Sequence, residues 1–120
     1  MIQVYHAKNP TFFVREGFVP NVIRDFAHVA NVYVEGLEQA YMLTNSIDKG
    51  WYENDKEVAF LGSPDHGMDG CRSTSVGDVL VREENGVYVT YVVDSCGFKK
   101  VTPKDNLTFR SDFDALCPTE

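Results

Sequence analysis

The dipeptide Asn85-Gly86 constrains this chain more than any other feature of its sequence. It joins Val79-Leu80-Val81-Arg82 to Val87-Tyr88-Val89-Thr90-Tyr91-Val92-Val93, two runs dense in β-branched and aromatic residues. An Asn-Gly pair supplies the positive φ angles of a two-residue turn whose twist matches that of paired strands, so the segment reads as an antiparallel hairpin. Ser75-Val76-Gly77-Asp78 is the turn that enters it. Asp94-Ser95-Cys96-Gly97-Phe98 turns the chain again after it, and Lys99-Lys100-Val101 leads into a polar tail.

Upstream, Ile2-Gln3-Val4-Tyr5-His6 alternates and is a short first strand. Thr11 to Val19 reads as irregular or a short helix, with Phe12, Phe13, Val14 and Phe18 as core candidates. Ala27 to Val34 is a second strand, buried on at least one face. From Glu35 to Asn45 the residues are strong helix formers, and Leu37, Ala40, Tyr41 and Thr44 fall at i, i+3, i+4 and i+7. A helix of two to three turns cannot stand alone, so that face must pack on the sheet. Ile47 to Lys56 is a polar loop carrying Trp51 and Tyr52, Val58 to Leu61 a short strand, and Gly62 to Gly70 a glycine-rich loop. The order argues an α+β fold: a small, mainly antiparallel sheet with one helix packed on a face and a C-terminal β-hairpin. The 120 residues suffice for one domain, 1–120, with a core over about 1–101 and a loosely packed C-terminal extension over 102–120.

Charge narrows the partners. The net charge is −7, and only Lys99 and Lys100 among the bases are adjacent. An acidic surface with scattered bases repels phosphate and argues against a nucleic-acid groove. Three cysteines, Cys71, Cys96 and Cys117, lack the close pairing of a zinc or redox motif and read as free thiols in a reducing compartment. Met1-Ile2-Gln3-Val4-Tyr5 has no basic, apolar leader pattern, and no run is long enough for a membrane helix. The expectation is a cytoplasmic protein without membrane contact.

No catalytic constellation stands out. His6, His28, His66 and the cysteines never fall at metal-ligand spacing, so no metal and no cofactor is expected. Cys96, between Val92-Val93 and Gly97-Phe98, reads as a small buried hydrophobe rather than a nucleophile. Acidic pairs such as Glu35/Glu38 and Glu83/Glu84 read as solvated faces. The segment Gly67 to Ser75, with Arg72, Ser73 and Ser75, has the chemistry to hold an anion, although it lacks a phosphate-loop lysine. Trp51 and Tyr52 have two readings, as interface anchors or as cover for the core. Arg72 is expected to brace the hairpin by pairing with Asp78 or Asp94.

Residues 72–101 also carry a resemblance. Arg72-Ser73-Thr74-Ser75-Val76-Gly77-Asp78-Val79 is similar to an Arg-Ser-x-Ser-Val-(Gly/Ser)-Asp-Val segment of the YodL-like domain family. Asp94-Ser95-Cys96-Gly97-Phe98-Lys99 is similar to that family's closing Asp-Ser-x-Gly-Phe-Lys segment, with Cys96 where the family often has an aromatic. The upstream strand, the Leu37-Glu38-Gln39-Ala40-Tyr41-Met42-Leu43-Thr44-Asn45 helix and Trp51 resemble small proteins of bacteriophages and mobile elements. The resemblance implies such an origin and no particular enzymatic activity. Together with the acidic charge, it sets the expectation of a non-enzymatic accessory protein that binds a host protein in the host cytoplasm, with a small ligand- or anion-binding domain or enzyme as the alternative. A nucleic-acid-associated module is the third reading, since small β-barrels that bind RNA also place Val-Gly-Asp-Val before a hairpin.

Overall fold

The computed structural model describes residues 1–9, 25–46, 50–54, 56–64 and 66–101. The expected core aromatics of the Thr11 to Val19 segment, Cys117 and the 102–120 extension lie outside them. In chain order the elements are β1 (Ile2–Ala7), β2 (Phe26–Val32), α1 (Leu37–Leu43), a 3-10 turn (Trp51–Glu53), β3 (Val58–Phe60), β4 (Val79–Glu84), β5 (Val87–Asp94) and β6 (Gly97–Val101). The strands form one sheet in the order β3-β2-β1-β4-β5-β6. Every neighbouring pair is antiparallel. The fold is a small α+β domain.

The Asn85-Gly86 turn forms as its chemistry requires. Both residues have positive φ, 56° and 82°, and Glu84 pairs with Val87 across them. A second tight connection follows. Asp94 pairs with Gly97, whose φ of 136° lets strand pairing resume at once, so Lys99, Lys100 and Val101 form β6. The same geometry corrects the reading of Cys96. Between paired residues 94 and 97 it is a corner residue and is exposed, so it is no buried hydrophobe.

Side chains alternate across the sheet, giving two apolar clusters. One gathers Ile2, Val4, Val29, Val32, Leu80 and Val93 with Ala40, Trp51 and Cys71. The other holds Tyr5, Phe26, Val79, Val81 and Val92. Between Val4 and Tyr5 the register against β2 slips by one residue, a bulge that passes over Val29. Helix α1 lies on the first cluster through buried Ala40 and half-buried Leu37, Tyr41 and Leu43, while Met42 is 69% exposed. The predicted helical stripe therefore faces the sheet, and its last member, Thr44, is fully buried just past the helix end. Thr44 Oγ1 donates to the Ala40 carbonyl at 2.8 Å, and the Thr44 carbonyl accepts from Thr74 N at 2.9 Å. That second bond ties the helix end to the loop preceding β4.

Trp51 is core. It is 3% exposed, meets Phe60 edge-on at 5.4 Å, and donates from Nε1 to the Arg72 carbonyl at 2.8 Å. Tyr52 is half-buried against Trp51 and Phe60. Of the two sequence readings for Trp51, the packed one is what the fold contains.

Candidate functional site

The chain from Cys71 to Asp78 meets the end of β1 through Thr74 and Asp78 and leads into β4. Asp78, 1% exposed, is its hub. Its Oδ1 accepts from Ala7 N at 2.8 Å and Arg72 Nη2 at 2.7 Å. Its Oδ2 accepts from Arg72 Nη1 at 2.7 Å and Ser75 N at 2.8 Å. Four donors thus meet one carboxylate, two of them the parallel prongs of a guanidinium. Arg72 also donates to the Ala7 carbonyl at 3.2 Å and the Ser73 carbonyl at 3.0 Å. Asp94, the other suspected partner, instead accepts from Ser95 N at 2.7 Å within its own turn. Ser73 Oγ accepts from Ser46 N at 2.9 Å, and Ser75 Oγ donates to the Ser73 carbonyl at 3.2 Å. The Ser73 and Ser75 hydroxyls therefore satisfy backbone. Gly77 N and the Asp78 carbonyl close the hairpin base on Val93.

His6 completes the cluster. Strand alternation puts it on the face of Ile2 and Val4, where it is 2% exposed. Its Nε2 lies 2.8 Å from Thr74 Oγ1 and 3.9 Å from Asp78 Oδ2. Its Nδ1 lies 3.5 Å from Cys71 Sγ. Burial pushes the imidazole pKa down to about 4, with Asp78 opposing and Arg72 reinforcing the drop. The ring is neutral at pH 7, with one nitrogen a donor and the other an acceptor. A cavity of about 120 Å³ opens beside it, bordered by His6, Lys8, Ser63, His66, Cys71 and Arg72.

The sequence suggested Arg72, Ser73, Ser75 and Asp78 and missed His6, Cys71 and Thr74 as partners. The available signal was the strand phase of Ile2 and Val4. A histidine in phase with two apolar residues is buried, and a buried imidazole needs partners for both nitrogens. Among the described residues no group of His, Cys, Asp and Glu could hold a metal ion.

Further concavities lie elsewhere among the described residues. One, of about 240 Å³, lies between α1 and the β5–β6 turn, with Tyr41 and Phe98 packed edge-on at 6.2 Å and Glu38 and Asp94 beside them. Another, of about 380 Å³, is bordered by Glu35, Glu83 and an Arg82–Glu84 ion pair at 2.7 Å. There the Tyr91 hydroxyl donates to Glu84 at 2.6 Å and, with Arg82, holds that carboxyl below its ordinary range.

Among the described residues no helix is long and apolar enough to cross a membrane. No family model, curated protein or solved structure matches the chain.

Proposed function

We propose that this chain is a phage or mobile-element accessory protein that binds a host protein without catalysis, and that it docks a basic segment of that partner in the groove between α1 and the β5–β6 turn. The observation that carries the reading is the pairing of an aromatic floor, Tyr41 and Phe98, with two carboxylates, Glu38 and Asp94, in a chain of net charge −7. Aromatic rings give contact area at little entropic cost, and acidic neighbours select Lys or Arg while steering encounter. Trp51, one of the two residues suspected as anchors, is buried. The YodL-like and phage resemblances support the host setting.

The test is a comparative pulldown from host lysate. Wild type is set beside Glu38→Lys/Asp94→Lys and beside Glu53→Lys/Glu57→Lys, which makes the same charge change near β3 at the other edge of the sheet. A partner retained by wild type and by the β3-edge variant but lost from the groove variant supports the reading. Equal capture by all three, or equal loss from both variants, overturns it.

A further inference from the structure

We propose that Cys71 is a nucleophilic thiol which, with His6 as proton acceptor, forms a covalent bond to a small anionic electrophile entering the adjoining cavity. The groups stand in working order. Cys71 Sγ is 3.5 Å from His6 Nδ1, and the far nitrogen, Nε2, is 2.8 Å from Thr74 Oγ1. With its hydrogen on Nε2 donated to Thr74, the ring presents a bare Nδ1 to the thiol. The edge-on contact with Trp51 at 6.1 Å fixes the ring plane. A base held by a third group and aimed at a thiol is the arrangement that activates cysteine for attack. Asp78 Oδ2, 3.9 Å from Nε2, places negative charge beside the imidazolium that forms as the proton arrives. Burial leaves His6 neutral beforehand but lowers its basicity, which Asp78 partly restores.

The cavity defines the reactant. His6 and Cys71 both border it, and Lys8, Arg72 and His66 line it with Ser63. The Lys8 ammonium at that opening stands against the sign of the whole chain and selects an anion, while Arg72 keeps its pair with Asp78. At about 120 Å³ it admits a molecule of a few heavy atoms. In the reaction the Sγ electron pair bonds to the electrophilic carbon and the leaving group departs with the pair from its broken bond. The thiol proton passes to Nδ1 and then to water. The single, stoichiometric reaction leaves a thioether or thioester on Cys71, and no oxidant or reductant is consumed. This site is separate from the proposed docking groove and, among the described residues, shares no lining residue with it.

Iodoacetate and iodoacetamide test the proposal, because they deliver nearly the same carbon with and without a negative charge. The protein carries Cys96→Ser and Cys117→Ser so that Cys71 is the one thiol, and mass spectrometry follows its alkylation. The ratio of the iodoacetate rate to the iodoacetamide rate should be about tenfold higher in the native protein than in urea. Lys8→Gln, at an exposed position, should lower that ratio toward the urea value. His6→Gln should slow both reagents by about a hundredfold. If His6→Gln does not fold by Trp51 fluorescence, the Lys8 comparison still decides. A native Cys71 inert to both reagents, or a charge preference equal to that in urea, overturns the proposal.

Discussion

Arg72 and Asp78 meet as a two-pronged ion pair, Nη1 to Oδ2 and Nη2 to Oδ1 each at 2.7 Å, with the carboxylate buried and the guanidinium 31% exposed. The asymmetry of burial decides what each substitution does. Asp78→Ala removes the shared acceptor of Arg72, Ala7 N and Ser75 N at once and should cost about 3–5 kcal/mol. Arg72→Lys keeps the charge, loses the fork and sits partly in water, so about 1–3 kcal/mol is expected. Urea melts measure both. Phosphate should leave the wild-type and Arg72→Lys midpoints equally displaced. A phosphate gain seen only in wild type would show that Arg72 serves an anion rather than the fold.

His6 makes stability depend on pH. Its pKa falls from 6.5 unfolded to about 4 folded, chiefly through burial. The unfolded chain therefore binds the proton first as pH drops. The stability associated with the neutral ring is present above pH 6.5, begins to go below it, and is fully lost below about 4. Between pH 7 and pH 5 the loss should be about 2 kcal/mol. Comparison with His6→Gln removes what the carboxylates and the other histidines contribute. A variant as steep as wild type between pH 5 and 7 would mean that His6 is solvated.

The hairpin turn offers a backbone test free of packing. Gly86 has φ of 82°, and a Cβ there would meet nothing within 4 Å. Gly86→Ala should therefore cost about 1–2 kcal/mol through left-handed strain alone. Asn85→Gly, at φ of 56°, should be nearly neutral, since asparagine already tolerates that region. Chemical denaturation of the two variants gives the comparison. Equal costs would contradict this turn geometry.

What the sequence made legible was local. The Asn85-Gly86 turn, the strands around it and the stripe of Leu37, Ala40, Tyr41 and Thr44 each follow from residues within one or two turns of chain. The placement of β1 between β2 and β4 does not, because pairing of Val4 with Ala30 and with Leu80 is a contest among several apolar strands. The site divides the same way. Arg72 and Asp78 are six residues apart and both neighbour the hairpin, so their pairing could be foreseen. His6 meets Cys71 and Thr74 across 65 and 68 residues, and no local pattern carries that meeting. Cys96 was misread because Val92-Val93 and Phe98 suggested burial, whereas the corner between Asp94 and Gly97 faces solvent.

Thr90 carries a local inconsistency that can be removed. It lies on β5 between Val81 of β4 and Val101 of β6, is 1% exposed, and its Oγ1 has no hydrogen-bond partner among the described residues. A buried hydroxyl left unsatisfied costs about 1–3 kcal/mol relative to an apolar group of the same shape. Thr90→Val keeps the β-branch that a strand favours and replaces the hydroxyl by a methyl. The surroundings suit it, since Val81, Val92 and Tyr5 form the cluster on that side of the sheet. The variant should be more stable than wild type by about 1 kcal/mol, less than the full penalty because the methyl is slightly larger. Thermal melts at neutral pH give the sign directly. A loss of 1 kcal/mol or so would instead mean that Thr90 holds a buried water, in which case Thr90→Ser should be better tolerated than Thr90→Val.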